Sequence, residues 1–481
     1  MSARLVVAMA CSSACAAEPQ RNVLLITLDT TRADRLGCYG HARARTPSLD
    51  RLAAEGVRFD EAITTNGLTP MAHASILTGV NPYRHDLRVF YGDAGRRVAP
   101  DVPVLAEVLA GAGYATAAFV SAYPVSEAYG FERGFASFDS GIDLAAIDVS
   151  RHMEHEKLWV DARASQNQRR SDATIDAALQ WLDRRPAGAP WFLWVHFFDA
   201  HDFALVPPVE FAAELGADYR RPPPFTNNAA RRDWIYDAEV AFMDAQLGRL
   251  LAAIERRDEI DSTVIAAIGD HGQGLVDGFE RHGWMLHTLP YQWCLRVPLI
   301  VRLPAQAPEG RLPAQAFGAD APRGRVVTDL VRSIDVFPTI LEAVGLAAPA
   351  PIEGESLLPL ARGEPQEPRI AYADALTLTD RHAGDVPQRL HDDLFCAMDH
   401  RFKLVWHRGA PAKSELFDLD SDPLELTSVA ADHQDVVAQM YGWLERRGAF
   451  ELRRPEGGAE DPRQRALLEA LGYGGDGKKD E

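Results

Sequence analysis

Three stretches of this sequence end an apolar run on side chains able to do chemistry. Asn22-Val-Leu-Leu-Ile-Thr-Leu leads into Asp29. Trp191-Phe-Leu-Trp-Val leads into His196 and on to Asp199 and His201. Thr263-Val-Ile-Ala-Ala-Ile-Gly leads into Asp270 and His271. Each acid stands just past a run that reads as a buried strand, where a charge is either solvated or costly. Two carboxylates and an imidazole on one rim form a donor set for a divalent cation. Taken singly, either acid is as readily a strand-end turn or a helix cap, so the metal reading needs them together.

A hydroxyl extends the set. Thr69 and Pro70 open a helical stretch that ends at Gly79, with Pro70 at the first helical position and Thr69 as N-cap. Spacing alone makes Thr69 a structural cap. The same place offers unpaired backbone N–H groups in a positive field, which favours an anion. A neighbouring metal would lower the hydroxyl pKa and turn it into a nucleophile. His73 follows one turn on, facing the same way. His196, His201 and His287 are candidates for holding an oxyanion or protonating a leaving group. His282 is weaker, and His85 falls in a loop after Gly79. A lone histidine is more often a surface or core residue. His201 stands out because Asp199-Ala-His201-Asp202 continues directly from the Trp191–His196 run.

The apolar runs read as strands buried on both faces, as in a parallel sheet covered by helices. Ala115–Val120 and Val297–Val301 read as two more. Amphipathic helical patterns lie between them: Pro47–Glu55 after Thr46, Val102–Ala110, Asp172–Arg185, Asp233–Arg256 and Ser333–Val344. Strand and helix alternation implies an α/β sandwich over residues 18–364. Ligands in such sheets bind at the carboxyl ends of strands, where the acids and histidines fall. From about residue 365 to 471 the pattern changes. Leu394–Met398 and Phe402–Trp406 flank a turn at Asp399-His400-Arg401, Glu415–Leu419 follows, and a helix is expected over about Asp432–Arg447. This reads as a small antiparallel subdomain, with a disordered tail from Gly472.

Composition sets outer limits. The 481 residues are 47% hydrophobic and 25% charged, with a net charge of −19. These values exclude a disordered or collagen-like chain. No apolar run is long enough to span a membrane. The acidic balance argues against nucleic acid as a partner and against long-range steering of an anionic substrate, so any anion site must be local. Residues 1–17 resemble an export signal, with Arg4, an apolar Leu5–Ala10 and Ala14-Cys15-Ala16 as a cleavage site. A periplasmic or secreted location is expected, with Cys11 or Cys15 as an alternative lipoprotein anchor. The remaining Cys38, Cys294 and Cys396 form neither a disulfide framework nor a CxxC pair.

In order and spacing these segments resemble the sulfatase family of the alkaline phosphatase superfamily, from about Asn22 to Leu444. Asn22–Asp29 with Leu36-Gly-Cys-Tyr-Gly40 is similar to the opening metal strand and its loop. Ala74-Ser-Ile-Leu-Thr-Gly79 is similar to the end of the nucleophile signature. Gly269-Asp-His-Gly272 is similar to the second metal motif, and Leu295-Arg-Val-Pro-Leu-Ile300 to a following strand. Asp335-Val-Phe-Pro-Thr-Ile340 and Glu415–Leu419 resemble late landmarks. The resemblance implies an alkaline-phosphatase-like sandwich with a large, mostly parallel sheet, a small antiparallel subdomain, and hydrolysis of a small-molecule or glycan ester.

The departures are chemical. Where the family's signature reads Cys-x-Pro-x-Arg, with the cysteine oxidised to formylglycine, this chain has Thr69, Met71 and His73 in the places of cysteine, proline and arginine. No formylglycine is expected. Thr30 stands where a second metal-binding aspartate is usual, His287 where a sulfate-binding lysine is common, and no Lys-x-His motif occurs in Ala115–Tyr123. The resemblance then implies one divalent cation held by Asp29, Thr69, Asp270 and His271. Ca²⁺ or Mn²⁺ suits these donors best, with Mg²⁺ or Zn²⁺ also compatible. Thr69 would attack sulfur or phosphorus, His73, His196 and His287 would contact the transferring group, and His201 would protonate the leaving alcohol. A second-metal variant would use Asp199, His201 and His282 or His287. Phosphodiesters and phosphonate monoesters remain alternatives to sulfate esters, as does a non-catalytic binding protein.

Overall fold

The computed structural model describes residues 21–88, 97–142, 164–165, 168–186, 188–201, 207–212, 229–275, 287–304, 322–376 and 392–451. The expected export signal, the tail from Gly472, Asp202, His282 and most of the loops around 143–163 and 213–228 lie outside the described residues.

Among the described residues, eight strands form the central sheet: β1 (Asn22–Leu28), β2 (Val57–Ile63), β3 (Ala115–Phe119), β4 (Ser137–Asp139), β5 (Trp191–Phe197), β6 (Thr263–Gly269), β7 (Arg296–Arg302) and β8 (Arg325–Arg332). Their order is β8-β2-β7-β6-β1-β5-β3-β4. The sheet is mostly parallel, as expected. β7 departs from this, running antiparallel to both β2 and β6. An apolar run shows that a strand is buried but not which way it points. β2 and β8, partly exposed, carry weaker apolar signals and escaped the sequence reading.

Side chains alternate across the pleat. Val23, Leu25, Phe192 and Trp194 enter the core on one face, and Leu24, Ile26, Leu193 and Val195 enter the other. Helices cover these faces: α1 (Pro47–Glu55), α2 (Thr69–Thr78), α3 (Ser171–Arg184), α4 (Ala229–Glu255) and α5 (Val336–Ala343). The Ser333–Val344 expectation resolves into a 3₁₀ turn at Ser333–Asp335 followed by α5. The Val102–Ala110 helix begins later, at Leu105. A second sheet, β9 (Ala371–Ala375), β10 (Leu394–Met398), β11 (Phe402–His407) and β12 (Glu415–Asp418), is fully antiparallel. It packs against α6 (Gln434–Arg446), the last helix among the described residues, through Phe395, Leu404, Leu416, Met440 and Leu444.

Candidate active site

Strand register brings the acids together. β1 lies between β5 and β6, with Leu28 paired to Phe197 on one side and to Gly269 on the other. Asp29 and Asp270 therefore leave adjacent strands side by side, both fully buried. Asp29, Asp270 and His271 bring one ligand atom each to within 4.8 Å of the others. His271 Nδ1 lies 3.0 Å from the Gly272 carbonyl and must donate to it, so Nε2 carries a lone pair. That Nε2 is 3.3 Å from Asp270 Oδ2 and 3.2 Å from Thr69 Oγ1. Donors this close together could share one divalent cation.

The partner count agrees. Asp29 Oδ1 and Asp270 Oδ2 are buried and accept no hydrogen bond, an expensive state for a carboxylate. Burial, joined for Asp29 by the Asp270 charge, pushes both carboxyls well above the usual carboxylate range. A divalent cation would reverse that push and satisfy both oxygens. The residues present thus fit the metal that the resemblance implies.

Thr30 takes a different role from a ligand. Its N–H donates to Asp270 Oδ1 at 3.0 Å, and its carbonyl accepts from the Tyr236 hydroxyl at 2.7 Å. Its φ of +49° is rare for a β-branched residue. These two bonds hold the strained turn and orient Asp270.

Thr69 is the first helical residue rather than the N-cap. Leu68 occupies the cap with extended backbone, and its N–H donates to Asn66 Oδ1 at 2.8 Å. Helix α2 is buried along its whole length and ends at Gly79 with φ +69°. Gly67 makes the turn before it possible, since a Cβ there would sit 1.8 Å from the His287 carbonyl oxygen. Thr69 Oγ1 donates to His271 Nε2, which the Gly272 bond has fixed as an acceptor.

Histidines surround this point, all neutral. His73 donates from Nδ1 to the Thr69 carbonyl at 2.8 Å, and its Nε2 is buried with no hydrogen-bond partner. His287 donates from Nδ1 to the Gly67 carbonyl at 2.6 Å and stacks on His271 at 4.5 Å. His201 stacks on Phe198 at 4.2 Å and meets the edge of His287 at 5.2 Å. Burial lowers the pKa of His73 to about 3 and of His287 to about 4, and drives those of His196, His201 and His271 well below the ordinary value. A neutral imidazole that donates from Nδ1 can only accept at Nε2. His73 and His287 therefore need a proton on Nε2 before they can donate to an oxyanion.

Other expected residues go elsewhere. His196 uses both ring nitrogens inside the protein: Nδ1 accepts from the Ser121 N–H, and Nε2 meets Asp29 Oδ2, each at 3.2 Å. This replaces the substrate contact expected of it. Asp199 accepts from the N–H and hydroxyl of Ser171 at the start of α3. It caps a helix, so the second-metal set loses its carboxylate. His85 ends a short helix and meets Ser75 Oγ at 3.0 Å, apart from the site. Ser121, Tyr236, Asn66 and Gly67 escaped the sequence reading. Their contributions are a backbone amide, a distant hydroxyl, a turn and a missing Cβ, and only the glycine leaves a trace in sequence.

Comparison with known proteins gives the same grouping. The Sulfatase family model matches residues 21–346, and the C-terminal model of N-sulphoglucosamine sulphohydrolase matches residues 280–448. An arylsulfatase of Clostridium perfringens is 24% identical over 465 residues, covering 85% of this chain and 90% of the relative. An N-acetylglucosamine-6-O-sulfatase of Bacteroides thetaiotaomicron is 23% identical over 516 residues, covering 87% and 85%. The crystal structure of a phosphonate monoester hydrolase of Agrobacterium radiobacter superposes with a TM-score of 0.66 at 22% identity, covering 89% of this chain and 95% of that one. With its order of motifs, its mostly parallel sheet and a family model spanning most of its length, the chain belongs to the sulfatase family of the alkaline phosphatase superfamily.

Proposed function

We propose that this protein is a metal-dependent hydrolase of sulfate esters in which Thr69 is the nucleophile. The observation that carries the reading is the Thr69 hydroxyl, buried at the start of α2 and 3.2 Å from His271 Nε2 in the Asp29–Asp270–His271 group. Asp29, Asp270, His271 and Thr69 would hold the cation, which supplies positive charge for the nucleophile and the transferring group. Ca²⁺ or Mn²⁺ suits this donor set.

The protein's own residues do the rest. The first turn of α2 aims Thr69 Oγ1, and the helix N-terminus favours the charge that develops beside it. Thr69 Oγ1 forms the new S–O bond as the S–O bond to the alcohol breaks, and the hydroxyl proton leaves with the alcohol through His201. His201 rests neutral, so it must first take up that proton before giving it away. The resulting Thr69 sulfate ester has no internal route to collapse, unlike a hydrated aldehyde, and water must cleave it. His287, with Nε2 as its acceptor nitrogen, would take that water's proton and return it to Thr69 Oγ1 as the Oγ1–S bond breaks.

The transferring group is tested in the same assay. The histidines in the arginine and lysine places bring no fixed charge, which also suits a monoanionic phosphodiester or phosphonate monoester. An aryl sulfate, an aryl phosphodiester and an aryl phosphonate are offered to the full chain with Ca²⁺, Mn²⁺ or Zn²⁺, beside Thr69→Ala. Turnover of the aryl sulfate that disappears in Thr69→Ala is expected. Equal turnover by Thr69→Ala sinks the nucleophile, and preference for a phosphorus ester sinks the sulfate assignment.

A further inference from the structure

His196 sits on β5 opposite Thr27 of β1, two residues before Asp29. Its ring is fully buried and held from both sides. The Ser121 backbone N–H can only donate, so His196 Nδ1 must be the acceptor in their 3.2 Å contact. The single ring proton of the neutral imidazole then lies on Nε2, which donates to Asp29 Oδ2 at 3.2 Å. Ser121 is itself fixed: its hydroxyl donates to the His196 carbonyl at 2.6 Å and lies 2.7 Å from Thr174 Oγ1. The edge of the His196 ring packs on His73 at 4.9 Å.

We propose that His196 is a positioning residue for the metal ligand Asp29: the chain from Ser121 N–H through the imidazole to Oδ2 fixes the carboxylate so that Oδ1 faces the cation. The proposal rests on the metal reading above. Its physical content is the asymmetry of the two carboxylate oxygens. Oδ2 has a donor and Oδ1 has none, although both are buried. Without His196 the carboxylate could turn about its Cβ–Cγ bond, which spoils the ligand. Because Ser121 and Asp29 occupy both ring nitrogens, His196 acts through Asp29 and not on the substrate.

The test is binding of Mn²⁺, Ca²⁺ and Zn²⁺ in turn to the metal-free full chain, by isothermal titration calorimetry. Wild type, His196→Phe, His196→Gln and Asp29→Asn are compared, with thermal melts in chelator to report folding. His196→Phe should weaken metal binding 10–100-fold (roughly the size of such outer-shell effects). His196→Gln, whose amide N–H can reach Oδ2, should recover most of it. Undiminished binding by His196→Phe overturns the proposal. So does His196→Gln binding as weakly as His196→Phe while melting like wild type, because the ring would then matter only for packing. If wild type takes up none of the three ions, or Asp29→Asn binds them fully, the metal reading itself fails, and the proposal with it.

Discussion

Two buried polar clusters lie within a few residues of each other along this chain, and they are built on opposite plans. In the first, Asp374 on β9 accepts from Arg88 Nε and Nη2 at 3.1 and 2.7 Å, from the Tyr372 hydroxyl at 2.8 Å and from Asn66 Nδ2 at 2.6 Å. Arg88 also donates to the carbonyls of Ala449 and Glu451. The Lys403–Glu425 pair follows the same plan, with Glu425 accepting from Lys403 Nζ and from the Gln292 N–H. In the second cluster, three residues along from Asn66, buried atoms of Asp29, Asp270 and His73 lack partners, and two acceptors, His271 Nε2 and Asp270 Oδ2, face each other at 3.3 Å. A satisfied cluster holds a fold together. A cluster missing donors in several places at once is shaped for something that arrives later.

The contrast can be broken experimentally. Thr69→Ala should lower turnover about 10³-fold or more, while changing the stability of the metal-free protein by less than ~1 kcal/mol. A kinetic assay paired with a urea melt reads both. Asp374→Ala should do the reverse. It strands buried Arg88, so a loss of ~3–5 kcal/mol is expected in the melt. A stability change under ~1 kcal/mol would show that this network is not structural. Adding Mn²⁺ at 100 times its dissociation constant should stabilise wild type by ~2.7 kcal/mol and leave Asp29→Asn unmoved. An equal gain in both would place the ion elsewhere.

A smaller effect comes from acid. His85 belongs to the satisfied kind: Nδ1 accepts from the Leu87 N–H, and Nε2 donates to Ser75 Oγ. Burial first, then the Arg88 charge, lowers its pKa from 6.5 to about 3. A depressed histidine means that the unfolded chain binds more protons between those two values. Its contribution is complete above pH 6.5 and declines as pH falls towards 3, at up to ~1.4 kcal/mol per unit. Urea melts of metal-free protein at pH 7 and 5 should therefore differ by about 2 kcal/mol more for wild type than for His85→Gln. Equal differences would show that His85 titrates normally.

How much of this could be read beforehand depended on how local the signal is. Asp29, Asp270 and His271 each follow a continuous apolar run, and Thr69 opens a segment that Gly79 closes, so pattern alone brought out four of the central residues. The direction of β7 could not be read, because an apolar run looks the same from either end. Nor could the roles of Asp199 and His196. Asp199 follows a strand much as Asp29 does, yet it caps α3, and His196 lies inside β5, where its ring meets Asp29.

The sequence by itself determined which residues sit at strand ends and helix starts, because burial periodicity and turn chemistry are written within a few neighbouring residues. It also determined that no arginine stands at position 73 and no lysine at 287. Tertiary structure decided that β1 lies between β5 and β6, which sets Asp29 beside Asp270. It decided as well where each imidazole keeps its proton. A histidine's tautomer follows from the group within hydrogen-bond reach, and for His196, His271 and His287 that group is a backbone amide or carbonyl placed by the fold.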